Sequence, residues 1–217
     1  MSNSEKSFQR REFLKKSVTV STAMTGILAF PQALFSRTFA ADPGPTVLGP
    51  REGYTPQIGT LVSMMAFCRS AVTRLAQGMT VTQLDWLLDD KANSIGALLY
   101  HLAACDALYY EHTFKGTPFD KPDPEVEKTF GIAMDLGEPA RKTIKGNTAE
   151  FYLKLLQDTR DRTLAEFRKR DDNWLMSIDK NWYWGPTNNY CKWFHVCEHE
   201  SHHQGQMALL KSRLPAK

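Results

Sequence analysis

The sequence predicts an all-α protein, a four-helix bundle whose helices are joined by long crossover connections. Three observations support this fold class. Four segments have helical length and apolar residues at helical spacing, no convincing segment alternates polar and apolar residues as a strand does, and two of the connections are long. At 217 residues, the chain is long enough to form one domain with a proper core.

The first two helices are bounded by residue types that begin and end helices. The first is expected over 55–77, where a threonine cap and a first-turn proline precede it and a glycine follows it. A loop rich in aspartate leads to the second helix, which is expected from residue 93 or 94 to about 115. This second helix is strongly apolar, which predicts a position in the core.

The third and fourth helices are expected over 147–170 and 190–214. Residues 116–146 hold four prolines and four glycines, and so predict a long irregular crossover between the second and third helices. Residues 171–189 form the other long connection. The third helix is expected to point one stripe inwards, formed by Phe151, Leu155, Thr159 and Leu164 or Phe167.

Two histidines four residues apart, His199 and His203, are the strongest functional signal. On an α-helix their imidazoles project from one face about one turn apart, so both can bind one transition-metal ion. His202 and Glu200 are expected to flank this face or to be solvated. Gln206 shares the face of the pair and is expected to orient a ligand through a hydrogen bond.

A tight site needs a third ligand, and His101 is the best candidate. It shares an apolar stripe with Leu98, Cys105 and Leu108, so its ring is expected to be buried. A buried neutral imidazole needs a partner for each nitrogen, and a shared metal ion would supply one. The alternative is a core histidine bonded to a backbone carbonyl. Cys105 lies one turn further on and either faces the site or packs in the core.

These stretches resemble the DinB/YfiT-like superfamily over about 55–215. The resemblance is carried by the run NSIGALLYHL at 93–102 and by the run HESHHQGQ at 199–206. It implies a four-helix bundle with His101, His199 and His203 as ligands of one divalent metal ion, namely zinc, nickel, iron or manganese. It also implies metal-dependent transferases or isomerases that use low-molecular-weight thiols, so the expected function is that of a thiol transferase or a small-molecule hydrolase. Gln204 departs from the arginine that is frequent at its position in the family.

The same histidines also match a second sequence motif. Residues 199–203 read His-Glu-x-x-His, the zincin signature, in which Glu200 would act as the general base of a metalloprotease. Only fourteen residues follow His203, and none of them is histidine, aspartate or glutamate. No downstream third ligand is therefore available, and we rank the protease below the bundle. A non-catalytic metal-binding or structural module is the other alternative.

Aromatic residues directly before the last helix are expected to lie near the metal. Trp182 and Trp184 flank Tyr183 a few residues upstream of the histidines, so their rings either cover the open metal position or close the end of the core. His195 lies one turn before His199 and is expected beside the ligands or in a packed end. No catalytic residue is assigned from the sequence.

The first 40 residues predict a twin-arginine signal peptide. The run RREFLK at 10–15 is close to the twin-arginine consensus, and an apolar segment over 18–30 follows it. Small residues at 38–40 predict cleavage near Ala40. The expected organisation is a signal over 1–40, a linker over 41–54 and a metal-binding bundle over 55–217, in a protein that is periplasmic or otherwise secreted.

Charge narrows the range of partners. The chain carries a formal net charge of +3, but residues 1–40 contain six basic and two acidic residues, which leaves about −1 for the remainder. No basic face argues for nucleic acid. The expected partners are the twin-arginine export machinery, a small-molecule substrate or thiol, and a second copy of the chain in a homodimer. The four cysteines lack zinc-finger spacing and are expected to pack as small apolar residues.

Overall fold

The structure is a computed structural model and describes residue 44 and residues 46–215. The twin-arginine run and the expected cleavage position at Ala40 lie outside these residues. In chain order the elements are α1 (Pro56–Ala76), α2 (Val81–Asp85), α3 (Ile95–Tyr110), α4 (Pro124–Asp135), α5 (Gly137–Thr143), α6 (Ala149–Phe167), α7 (Asp172–Met176), β1 (Ile178–Asp179), β2 (Thr187–Asn188) and α8 (Asn189–Ser212).

The long helices α1, α3, α6 and α8 form the bundle, which confirms the predicted fold class. Arg69 contacts Glu200 and Leu75 contacts Lys211, so α1 and α8 run in the same direction. Gly96 lies beside Tyr152 and Asp106 pairs with Arg160, so α3 and α6 also run in the same direction. His101 contacts His199 whereas Tyr109 contacts the earlier His195, so α3 and α8 are antiparallel. Because α3 and α6 are parallel, the chain between them must return along the bundle, as a crossover does.

The predicted helix starts are confirmed by their caps. Ser94, Thr148 and Asn188 each accept a hydrogen bond from the backbone N–H three residues later, at the start of α3, α6 and α8. The α3 helix continues into a π-helical turn (Glu111–Lys115) and ends at Gly116, whose φ of 70° favours glycine. Among the described residues, no helix has both the length and the apolar character that a membrane span requires.

The prediction that residues 116–146 are irregular was wrong, because α4 and α5 lie within them. Asp123 caps α4 and Pro124 occupies its first turn, so this proline starts a helix rather than breaking one. Phe130 and Ala133 are buried in the main core, next to residues of α3. The crossover therefore covers α3 with a helix, which matters for the site below.

The predicted inner stripe of α6 was wrong at Phe151, whereas Leu155 and Leu164 are partly buried and pack against the core. Phe151 is 43% exposed, and the buried face comprises Tyr152, Leu156, Thr159, Arg160, Thr163 and Phe167. Of the predicted positions, Thr159 and Phe167 are buried. The buried face also includes the charged Arg160, which the stripe of mainly apolar residues did not predict.

Arg160 belongs to a buried charge network that joins all four long helices. Its guanidinium lies 3.1 Å from Asp106 of α3 and 3.3 Å from Glu200 of α8. Arg69 of α1 lies 2.9 Å from Asp106 and also pairs with Glu200. Both arginines donate to backbone carbonyls as well, at Leu156 and Met65. Each buried charge therefore has several partners, as burial in a low-dielectric interior requires.

We expect Arg160→Met to lower the free energy of unfolding by about 3–5 kcal/mol, because it leaves two buried carboxylates with one arginine between them. Urea denaturation followed by circular dichroism measures the change. Lys154→Met is the matched control on the same helix, since it removes an exposed pair with Asp158 and should cost less than about 1 kcal/mol. Equal losses in the two variants would contradict the role of the network.

Candidate metal centre

The three predicted ligands meet between α3 and α8. The Nε2 atom of His199 lies 3.2 Å from Nε2 of His101 and 2.9 Å from Nε2 of His203. His101 and His203 are 7% and 8% exposed, and His199 is half-buried. The structure therefore places all three rings in one cluster close to the protein surface.

The outer nitrogens of two rings are held by hydrogen bonds. His101 donates from Nδ1 to the carbonyl of Ala133 in α4, at 2.8 Å. His203 donates from Nδ1 to Oε1 of Gln206, at 2.7 Å. A neutral imidazole carries one proton, so both rings point an Nε2 lone pair towards His199. Hydrogen bonds of this kind fix the tautomer of a metal-binding histidine.

This arrangement of donors fits a cation. A neutral His199 has at most one proton at Nε2, so without a cation at least one of its two close contacts sets lone pair against lone pair. Two nitrogens bound tetrahedrally at 2.0–2.1 Å to one ion lie about 3.3 Å apart, close to the spacings here. The three rings therefore fit a shared transition-metal ion better than a set of mutual hydrogen bonds.

A proton is a poor substitute for that ion. Burial, together with the neighbouring His203 and His101, holds the pKa of His199 at about 3. Burial lowers the pKa of His203 to about 4 and also lowers that of His101. All three rings are therefore neutral at ordinary pH, which is the protonation state that binds a metal.

Cys105 faces the same cluster. Its Sγ lies 3.8 Å from Nε2 of His101, and the donor atoms of His101, Cys105 and His199 all lie within 4.8 Å of one another. The side chain is also buried, and burial followed by the charge of Asp106 raises the pKa of its thiol. The two expectations for Cys105 therefore both hold, because its side chain packs in the core and its sulfur faces the histidines.

Aromatic rings continue from the histidines towards the segment between β1 and β2. The ring of His195 stacks on that of His199 with centroids 5.5 Å apart, and the ring centroids of Trp184 and His195 lie 5.2 Å apart. Trp184 is 41% exposed, whereas Trp182 is buried among other aromatic rings. The structure therefore brings Trp184 towards the metal cluster through His195, and Trp182 closes the core beneath it.

Two contacts of the site were not anticipated. The carbonyl of Ala133 holds His101, but α4 itself was missed, so no residue in it was considered. The hydroxyl oxygen of Tyr109 lies 2.7 Å from Nδ1 of His195 and 3.4 Å from the hydroxyl oxygen of Tyr183. The available signal was spacing, because Tyr109 lies eight residues after His101 and therefore on a similar face of α3.

Glu200 was wrongly expected to flank the site or to be solvated. It is 1% exposed, and its carboxylate pairs with Arg69 and Arg160. A zincin glutamate must reach a water molecule at the metal, whereas both oxygens of Glu200 are held by arginines in the bundle interior. This position argues against the protease interpretation. His202 is exposed as expected and accepts a hydrogen bond from Gln206 at 3.3 Å.

The family model described as the DinB superfamily matches residues 64–207, about two thirds of the chain and both histidine motifs. The chain belongs to the DinB superfamily. No curated protein matches it.

Two solved structures resemble this DinB chain. One is a conserved protein from Enterococcus faecalis, with 15% identity, a TM-score of 0.49, and coverage of 70% of this chain and 92% of the other. The second is a DinB-like protein from Bacillus cereus, with 17% identity, a TM-score of 0.48, and coverage of 73% and 95%.

The lowered histidine pKa values predict how the metal-free DinB bundle responds to acid. The rings of His199 and His203 titrate near pH 6.5 when unfolded but only near pH 3–4 when folded, so the unfolded chain binds more protons between these values. The free energy of unfolding should therefore fall as the pH is lowered from about 6.5 to 4. Chelator-treated protein, unfolded in urea at several pH values, measures the slope. The His199→Ala/His203→Ala variant should give a shallower slope, and identical slopes would contradict the prediction.

Proposed function

We propose that this DinB-superfamily protein is exported and holds one divalent transition-metal ion through His101, His199 and His203, at which a small molecule or thiol reacts. The supporting observation is the convergence of imidazole nitrogens, with two outer nitrogens held so that their lone pairs face inwards. A transferase that uses a low-molecular-weight thiol, or a small-molecule hydrolase, fits this centre best.

The donor set restricts the ion. Imidazole nitrogens suit zinc, nickel and iron, and they also accept manganese. The Cys105 thiol beside His101 adds a soft donor, which favours zinc, nickel or iron over manganese. Magnesium and calcium prefer oxygen ligands, and none of the three histidines supplies one.

The reaction would take place where the partly exposed ring of His199 reaches the surface. An ion held by three histidines supplies a Lewis acid that lowers the pKa of a water or thiol brought to it. The chain's own residues would orient that reaction. Gln206 holds His203, and the Ala133 carbonyl holds His101. The ring of His195 contacts both His199 and Trp184, so a substrate that enters there meets aromatic surface.

A non-catalytic metal centre is the second candidate, and Cys105 is the observation that favours it. If its thiol binds the ion beside three imidazoles, the four donors complete a closed tetrahedral site, which is typical of structural zinc. If Cys105 only packs, the fourth position is open to substrate. The two candidates therefore differ in the ligand at one position.

Elemental analysis tests the centre itself. We expect about one metal ion per chain in the wild type, and affinity at least about tenfold weaker in His101→Ala and in His199→Ala/His203→Ala, since even partners of ligands contribute that much. His202→Ala is the control, because this histidine is exposed on the same helix and should retain the metal. A wild-type protein that binds none of the four added ions, zinc, nickel, iron or manganese, would contradict the proposal.

Cobalt substitution then separates the two candidates. In an open site, a low-molecular-weight thiol added to the cobalt protein should create a near-ultraviolet thiolate-to-cobalt band, and Cys105→Ser should leave the spectrum unchanged. In a closed site, the band should exist before any thiol is added and should disappear in Cys105→Ser. The second result would exclude the catalytic candidate while keeping the metal centre.

Export rests on the leader and is tested separately. The supporting feature is the run RREFLK at 10–15, followed by an apolar segment and by small residues before position 41. We expect the full chain to appear in the periplasmic fraction at a shorter length, and Arg10→Lys/Arg11→Lys to retain it in the cytoplasm at full length. Immunoblots of cell fractions measure both, and unchanged export of the double variant would contradict use of this pathway.

A further inference from the structure

A groove of about 370 Å³ runs between α1 and α6, on a different side of the bundle core from the histidines, which lie between α3 and α8. Small-molecule sites in proteins have volumes of about 300–1,000 Å³, so the groove has room for one small organic ligand. On α1 its lining extends from Val62 to Arg74, which is about 18 Å along the helix axis. The groove is therefore long enough for an extended ligand.

The groove is apolar at one end and polar at the other. Arg69 reaches the carbonyl of Leu156 and Arg160 reaches that of Met65, so α1 and α6 are antiparallel along it. The apolar end is lined by Val62, Met65, Ala66 and Leu164. The polar end is lined by Ser70, Thr73, Arg74 and Gln157. A molecule that fits both ends therefore carries an apolar chain and a polar head group.

The charges of the lining favour a negative head group. Among the described residues, three arginines and no acidic residue line the groove. The side chains of Arg69 and Arg160 are 11% and 6% exposed and lie between the two ends. Their partners Asp106 and Glu200 are buried and do not line the groove. A ligand in the groove therefore meets guanidinium groups and no carboxylate.

Two of these arginines keep hydrogen-bond donors for a ligand. Three of the five N–H groups of Arg69 donate to the backbone of α6 and to the two buried carboxylates, which leaves two without an acceptor in the described part of the chain. Arg74 is exposed, and its guanidinium donates to the hydroxyl group of Ser70 at 3.0 Å. Carboxylates accept charge-assisted hydrogen bonds from arginine, and these are stronger than neutral ones.

We propose that this groove binds an amphipathic monocarboxylate, such as a medium-chain fatty acid. Its carboxylate pairs with Arg74 and accepts from Arg69, and its alkyl chain lies along the apolar end. The two buried carboxylates of the charge network compensate the other two arginines, so Arg74 supplies the charge that remains within the described lining. One such charge matches a carboxylate better than a phosphate monoester, which carries nearly two. This site goes beyond the proposed function and does not depend on the metal.

Calorimetric titration of the full chain with decanoate, below the concentration at which it forms micelles, tests the proposal. We expect one site per chain and an affinity that rises about fourfold for each methylene from hexanoate to decanoate, because each methylene is buried in the groove. Decan-1-ol lacks the charge and should bind at least about fivefold more weakly than decanoate. Equal affinities for the acid and the alcohol, or no binding of decanoate, would overturn the proposal.

Substitutions in the lining locate the site. Arg74→Gln should weaken decanoate binding at least about fivefold and leave decan-1-ol binding unchanged. Gln157→Trp places an indole ring in the groove and should weaken the binding of both ligands. Lys154→Trp is the matched control, because Lys154 is exposed on the same helix but outside the groove, and it should bind decanoate as the wild type does. All three substituted residues are exposed, so the bundle should fold in each variant.

The metal centre needs its own control, because a carboxylate also binds metal ions. The His199→Ala/His203→Ala variant should lose the metal and keep its affinity for decanoate. Loss of decanoate binding together with the metal would overturn the proposal, and so would unchanged binding in both Arg74→Gln and Gln157→Trp. Failure of the proposed metal centre alone would leave the decanoate titration of the wild type unaffected.

Discussion

The buried network of Arg69, Asp106, Arg160 and Glu200 is the constraint on which the rest of the structure depends. Each residue comes from a different long helix, and together they lie between the two apolar clusters of the core. Apolar packing tolerates sliding by part of a turn, whereas paired guanidinium and carboxylate groups do not, because a shift leaves a buried charge without its partner. Since Glu200 directly follows His199 in the chain, the same contacts set the height of the histidine helix against α3.

Local signals predicted much of the fold and the histidines that cluster at the candidate metal centre, and long-range contacts account for what they missed. The starts of α3 and α6 follow from a serine and a threonine that cap them, and the His199–His203 spacing places two rings on one face. Glu200 and Arg160 could not be placed in this way. A charged residue in a helix is ordinarily solvated, and only partners on three other helices make its burial favourable.

The crossover shows a second limit of local patterns. Prolines and glycines over 116–146 favour irregular backbone, yet Pro124 occupies a first helical turn, where its missing N–H costs nothing. The helix that follows brings the carbonyl of Ala133 to His101. A main-chain oxygen has no signature in the sequence, so the tautomer of His101 depends on a contact that only the folded chain reveals. The two early interpretations of His101 are therefore compatible: one nitrogen bonds to a carbonyl and the other faces the metal cluster.

Three seams of the bundle are held by different means among the described residues. Histidines meet between α3 and α8, and the Arg69–Glu200 pair lies between α1 and α8, where Cys68 and Cys197 line a groove. Between α1 and α6, the two arginines instead reach across to backbone carbonyls at Leu156 and Met65. Long side chains span a wider gap than interlocked apolar residues, and a groove of about 370 Å³ opens along this seam. The arginines that pair with the buried carboxylates therefore also hold α1 and α6 apart. The looser packing between these two helices is thus a consequence of the charge network that positions the histidines.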